Sequence, residues 1–315
     1  MVTSSQSFTD LADEFSLLGE TAAEAGVPGA RPRVRRGWVN VPTGGHVSGV
    51  IWGAGPPEVV FLHDSAESGR AWDAVALVLG RPAVAIDLPG HGRSDWRRDG
   101  RYQPAKLAAA AAEAIGSFAP KAQLVVGSGL GGLTALAAQR KQPRRVPAIA
   151  LVNVFPGATA ARTRPGRGPE RFASREEAFA ALAARYPEHG RAALRREILY
   201  ELDQQPDGTW GWRHHPGNQP APDADPDVAP AGGLEAGYDQ LAQLPIPVTL
   251  IVSDPAGPLT SAERQRLRQR APKVSVATIA GAGRDIAATQ PAALAAVLDH
   301  LLPVRAGTET DGGQP

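Results

Sequence analysis

The chain contains no cysteine, which excludes disulfides, a thiol nucleophile and thiolate metal ligands. It lacks an excess of either charge: 33 basic against 32 acidic residues leave a formal net charge of +1, so no general affinity for nucleic acid or an anionic membrane is expected. No run approaches the 18 or so apolar residues of a membrane span. The first residues, MVTSSQSFTDLADEF, show neither the positive region nor the apolar stretch of a signal peptide. A cytoplasmic location is the expectation. Internal repeats are also missing.

What is present suits a soluble α/β protein. At 315 residues, 43% hydrophobic, the chain is long enough for one large domain with an insertion. Its basic residues are nearly all arginine and it is rich in alanine and proline, as the product of a GC-rich genome would be. The organising stretch is QLVVGSGLGGLTAL, from Gln123 to Leu136. It reads as a buried strand, a tight glycine turn from Gly127 to Gly132, and a helix. This is the pattern of a nucleophile elbow, whose G-x-S-x-G form lifts a serine above the sheet. Here the central residue is Gly129, and the hydroxyl of Ser128 comes one position early. Gly127, Gly129 and Gly132 also fit the dinucleotide pattern G-x-G-x-x-G, but an acidic residue about 20 positions on is missing.

The rest of the chain predicts a mostly parallel, doubly wound sheet with an insertion. Residues 1–32 form a lead-in with a short helix. Residues 33–154 carry a hairpin, from Arg33 to Val41 and His46 to Trp52, and then alternating strands and helices. Residues 155–237 break the pattern with two helices, the arm DGTWGWRHH and a mobile Pro-rich loop from Pro216 to Gly233. Strand and helix alternation resumes over residues 238–302, and a disordered tail follows over residues 303–315.

The stretches EVVFLH, AIDLPGHGRSDW, GLGGLTAL, LVNVFPG, ERFASREEAF, DGTWGWR and GAGR-DIAATQPAALAAVLDHLL occur in an order that resembles the α/β-hydrolases. The likeness is greatest to a group of actinobacterial members with a helical cap. The resemblance implies that fold, with residues 155–237 as the cap. It also implies a serine, an acid and a histidine working as nucleophile, orienter and base. Laid on this chain, those positions read Gly129, Asn153 or Gly257, and Arg284. Glycine has nothing to acylate, and a guanidinium does not accept a proton near neutral pH.

The expectation is therefore a pseudoenzyme with a degenerate catalytic triad, or a non-hydrolytic lyase, cyclase or isomerase, built around a cationic hollow. Backbone N–H groups of Leu130 and of Asp64 or Ser65 would form its oxyanion hole. Arg284 would supply a full positive charge, and a carboxylate, enolate or phenolate would bind. His63, Asp64, Ser65, Ser128, Gly129, Leu130 and Arg284 make up the ligand-binding set, with Trp210 and Trp212 of the cap above them. An alternative is a hydrolase using relocated Ser128, Asp254 and His63; another is a dinucleotide-binding protein through Gly127, Gly129 and Gly132. Ser128 is expected to point away from the site, His63 and His91 to shape loops, and His214 and His215 to be exposed. Neither of the last two has metal-ligand spacing. The partner is a small molecule, with no cofactor, metal, nucleic acid or membrane.

Overall fold

The computed structural model describes Phe8 and residues 13–158, 170–187, 189–216 and 233–304. Residues 217–232 of the Pro-rich loop and nearly all of the tail named above lie outside these residues. In chain order the strands are β1 (Val34–Asn40), β2 (His46–Trp52), β3 (Val59–Leu62), β4 (Ala83–Ile86), β5 (Leu124–Ser128) and β6 (Ile149–Val152). They continue with β7 (Arg171–Phe172), β8 (Leu202–Gln204), β9 (Trp210–Trp212), β10 (Val248–Asp254) and β11 (Val274–Ala280). The α-helices are α1 (Leu18–Glu24), α2 (Asp73–Leu79), α3 (Pro104–Phe118), α4 (Gly129–Lys141) and α5 (Arg175–Arg185). After them come α6 (Arg191–Glu201), α7 (Gly233–Ala242), α8 (Ser261–Arg270), α9 (Ile286–Thr289) and α10 (Pro291–His300).

The main sheet has the order β1-β2-β4-β3-β5-β6-β10-β11. β1 and β2 form the antiparallel hairpin at one edge, and the pairs from β4 through β11 are parallel. This is the α/β-hydrolase fold. The central strands are apolar throughout because helices cover both of their faces. In β3, Val60 and Leu62 join the core under α3 and α4, while Val59 and Phe61 join the one under α2 and α10. Each such fully buried aliphatic side chain stabilises the fold by about 1.5–3 kcal/mol.

The 170–216 segment has an apolar cluster of its own, including Phe172, Leu182, Ile198 and Trp212. Its small sheet has the order β7-β9-β8. The DGTWGWR arm forms one strand of a hairpin there, with Gln204 opposite Trp210. The Ser174 hydroxyl accepts the Glu177 N–H and starts α5, as serine does at a helix N-cap.

Around the elbow, no multi-residue turn separates strand from helix. β5 runs through Ser128 and α4 begins at Gly129. Gly129 alone makes the change of direction, at φ +44°, a conformation that costs glycine little. Close packing keeps the neighbouring positions small. A Cβ on Gly127 would come within 2.5 Å of the Gly132 nitrogen, and one on Gly131 would collide with the carbonyl of Leu62.

Candidate active site

Parallel register brings the site together. Leu62 of β3 lies opposite Gly127 of β5, so Asp64 and Gly129, each two residues further on, emerge side by side at the C-terminal edge of the sheet. The Asp64 side chain turns toward the elbow. A Cβ placed on Gly129 would fall inside the Asp64 carboxyl group, overlapping Oδ1, Cγ and Oδ2. The carboxylate thus occupies the space where the side chain of an elbow residue would stand.

Backbone donors hold it there. Oδ1 of Asp64 accepts the Leu130 N–H at 2.8 Å and the Ser65 N–H at 2.7 Å, with the Ser65 hydroxyl further away at 3.4 Å. Leu130 is in the first turn of α4, where unpaired N–H groups and the helix dipole favour negative charge. Ser128, the N-cap residue, makes no capping bond with its side chain. Asp64 takes over that role from another loop. The Asp64 N–H itself donates to Oε2 of buried Glu67 at 3.2 Å, so Leu130 and Ser65 are the donors that converge.

The hollow expected to receive a ligand's anion therefore contains the chain's own carboxylate. Arg284 is exposed, so its charge is not buried in the hollow. Its carbonyl accepts from Asn153 Nδ2 at 2.7 Å. Asn153, at φ +49°, ends β6 as a strut: Nδ2 also donates to Ser253 Oγ at 2.8 Å, and Oδ1 accepts the Ser253 N–H at 2.9 Å. Asparagine tolerates this left-handed conformation better than most residues. Gly257 lies beyond β10, where a Cβ would come within 2.5 Å of the Ser253 carbonyl.

The relocated residues fare unequally. His63 is fully buried; its Nε2 accepts the Leu88 N–H at 2.9 Å, and Nδ1 donates to the Asp64 carbonyl at 2.7 Å. With both ring nitrogens engaged by backbone, it positions the Asp64 loop instead of taking a proton from substrate. Asp254 is exposed and 3.7 Å from Arg264. Ser128 is half-buried at the elbow. Gly127 and Gly132 pack strand against helix, a use that leaves the dinucleotide reading without a phosphate cradle.

The aromatic lid also needs correction. Trp212 is buried against Phe172 and His214, and Trp210 lies beneath the Arg175 guanidinium at 3.9 Å, so both belong to the packing of the 170–216 segment. His214 is buried and His215 half-buried, not exposed. Their rings extend the row His63, His91, His214, with His215 against Trp96. That row joins the segment to the PGHG loop, and the His215 N–H donates to the Gly90 carbonyl. Among the described residues, no group of three His, Asp or Glu is arranged to hold a metal, and no helix is long and apolar enough to cross a membrane.

Beneath the PGHG loop, fully buried Asp87 accepts from Arg36 Nη1 at 2.7 Å, Ser48 Oγ, and the N–H groups of Gly69 and Arg93. Burial acts to raise its pKa, but Arg36, Ser48 and the two backbone donors together hold it below the usual carboxylate range. Sequence reasoning missed two contacts elsewhere around the site. One is the placement of the Asp64 carboxylate, for which the only sign was an acid directly after His63. The other joins His189 of the 170–216 segment to Asp285 beside Arg284, with 4.0 Å between Nε2 and Oδ2; it left no mark in local spacing.

Residues 59–297 match the alpha/beta hydrolase family. The esterase Rv0045c of Mycobacterium tuberculosis is 33% identical over 304 residues, covering 93% of this chain and 97% of that protein. A crystal structure of that esterase superposes with a TM-score of 0.76, covering 93% of this chain and 98% of the other. The lipase LipV of the same organism is 30% identical over 51% of this chain and 63% of its own length. A relative named esterase along nearly the whole chain overturns the expectation of a pseudoenzyme with a degenerate triad, or of a non-hydrolytic catalyst. The alternative reading, a hydrolase with relocated residues, fits this kinship. By the match over most of its length and by its fold, the chain belongs to the alpha/beta hydrolase family.

Proposed function

We propose that this protein hydrolyses small-molecule esters and that Asp64 is its acting carboxylate. The observation that carries the reading is the Asp64 carboxyl group in the side-chain space of Gly129, with Oδ1 on the N–H groups of Leu130 and Ser65. Kinship with an esterase supplies the reaction class. The geometry supplies a nucleophile or base where the elbow residue has none, since carboxylates serve in both roles. Among the described residues, the hydrogen bonds of the carboxylate all go to Oδ1, leaving Oδ2 to face substrate. Ser128, Asp254 and His63 are not needed for this chemistry.

The test is hydrolysis of a panel of short alkyl carboxylates, followed as acid release at constant pH. The expected result is turnover proportional to protein concentration and saturating with substrate. Acid release no faster than in buffer across the panel would reject the reading.

A further inference from the structure

We propose that Asp64 is a covalent nucleophile, acting through Oδ2 on the saturated carbon of an alkyl ester, so that the alkyl–oxygen bond is the one broken. This deepens the ester-hydrolase reading and rests on it. An oxyanion hole accelerates the step in which negative charge develops on the atom it holds. In direct acyl transfer that atom is the carbonyl oxygen of the substrate. Here the Leu130 and Ser65 donors already hold Oδ1 of Asp64, at 2.8 and 2.7 Å. Admitting a substrate carbonyl would first break two charge-assisted hydrogen bonds, which are roughly twice as strong as neutral ones.

The same donors suit a different intermediate without moving. If Oδ2 becomes esterified, Oδ1 becomes the carbonyl oxygen of that ester and is already in place. Water adding to Cγ then places the tetrahedral charge on Oδ1, between the two N–H groups and at the start of α4. The site is built for hydrolysis of an Asp64 ester.

The steps balance. A lone pair on Oδ2 forms a bond to the saturated carbon, and the bond from that carbon to the substrate's ester oxygen breaks, its electron pair leaving with the carboxylate product. Water oxygen then bonds to Cγ as the C–O π pair moves to Oδ1. Collapse of this intermediate breaks the bond from Cγ to the alkyl oxygen. One proton of the water reaches the departing alkoxide through solvent, giving the alcohol; the other leaves the Asp64 carboxyl group for solvent, restoring the carboxylate with one oxygen from water and supplying the proton that accompanies the carboxylate product. The sum is ester plus water to acid plus alcohol. Substrates are thereby confined to esters with an accessible saturated carbon, such as methyl or benzyl carboxylates. Phenyl esters, whose oxygen is on an unsaturated ring carbon, are excluded.

The experiment is a single turnover of benzyl or methyl carboxylate in heavy-oxygen water, with wild-type protein in excess, followed by mass spectrometry of the acid and of the peptide carrying Asp64. The expected result is an unlabelled acid and a peptide heavier by one isotopic oxygen. Heavy oxygen in the acid would overturn the proposal and leave the ester-hydrolase reading standing. An absence of acid release would overturn both. In a parallel assay phenyl esters should not be turned over; faster cleavage of phenyl than of benzyl esters would likewise overturn the proposal alone.

Discussion

The Asp64 carboxylate and the missing side chain of Gly129 occupy the same space. Two strands paired in register, Leu62 opposite Gly127, deliver the two residues to one point, and only one can place atoms there. The pair consequently acts as a unit.

Gly129→Ser should therefore harm the protein twice. A side chain would enter the carboxyl group of Asp64, and residue 129 holds φ +44°, a conformation costing a non-glycine residue about 1–3 kcal/mol. The expected outcome is a lower melting temperature together with loss of ester hydrolysis. In Gly129→Ser with Asp64→Gly, the collision disappears but the backbone strain remains. Thermal denaturation of both singles and the double should show a coupling of about 0.5–3 kcal/mol, the range for residues in contact; additive effects would show that the two do not share the space.

Asn153→Ala removes the acceptor of the buried Ser253 N–H and the donor to the Arg284 carbonyl. A buried polar group left without its partner costs about 1–3 kcal/mol. The loss should appear in chemical denaturation. Asn153→Asp should keep the Ser253 bond but not the donation to residue 284, giving a smaller loss.

Asp87 sets a pH dependence. Its folded pKa is lowered, so the unfolded state binds more protons as pH falls through the ordinary carboxylate range. Its contribution is complete above the unfolded pKa of about 3.9 and is lost as pH falls through the lower, folded value. Asp87→Asn should cost about 1–3 kcal/mol near neutrality, because the buried Arg36 guanidinium loses one of its two carboxylate partners and keeps Glu14. It should also flatten the acid limb of the stability curve. Equal acid slopes in variant and wild type would contradict the assignment.

The fold was legible in the sequence because its signals are local. Apolar runs of four to seven residues, the hairpin from Arg33 to Trp52 and the glycines packed at 127, 131 and 132 each report on their own neighbourhood. The site was only partly legible. The elbow and its Leu130 donor could be placed from the strand and helix around Gly129. That Asp64 fills the elbow depends on a side-chain direction and on the pairing of β3 with β5, across 66 residues, which no local pattern encodes. The exposure of Arg284 was not legible for a related reason: a residue's place in a turn does not determine which way its side chain leaves the backbone. Buried His214 and Trp212 were hidden because their partners, His91 and Phe172, come from distant segments.

The most direct measurement of the central claim is kcat/KM for hydrolysis of an alkyl carboxylate by Asp64→Asn beside the wild type, with the melting temperature of each recorded. Asparagine keeps the shape and the acceptor for Leu130 and Ser65 but is not nucleophilic. The expected result is a fall of roughly ten-thousand-fold or more, as when other hydrolases lose an essential catalytic side chain, in a protein that still folds. A folded variant with a rate within about threefold of wild type, less than 1 kcal/mol of transition-state stabilisation, would contradict it.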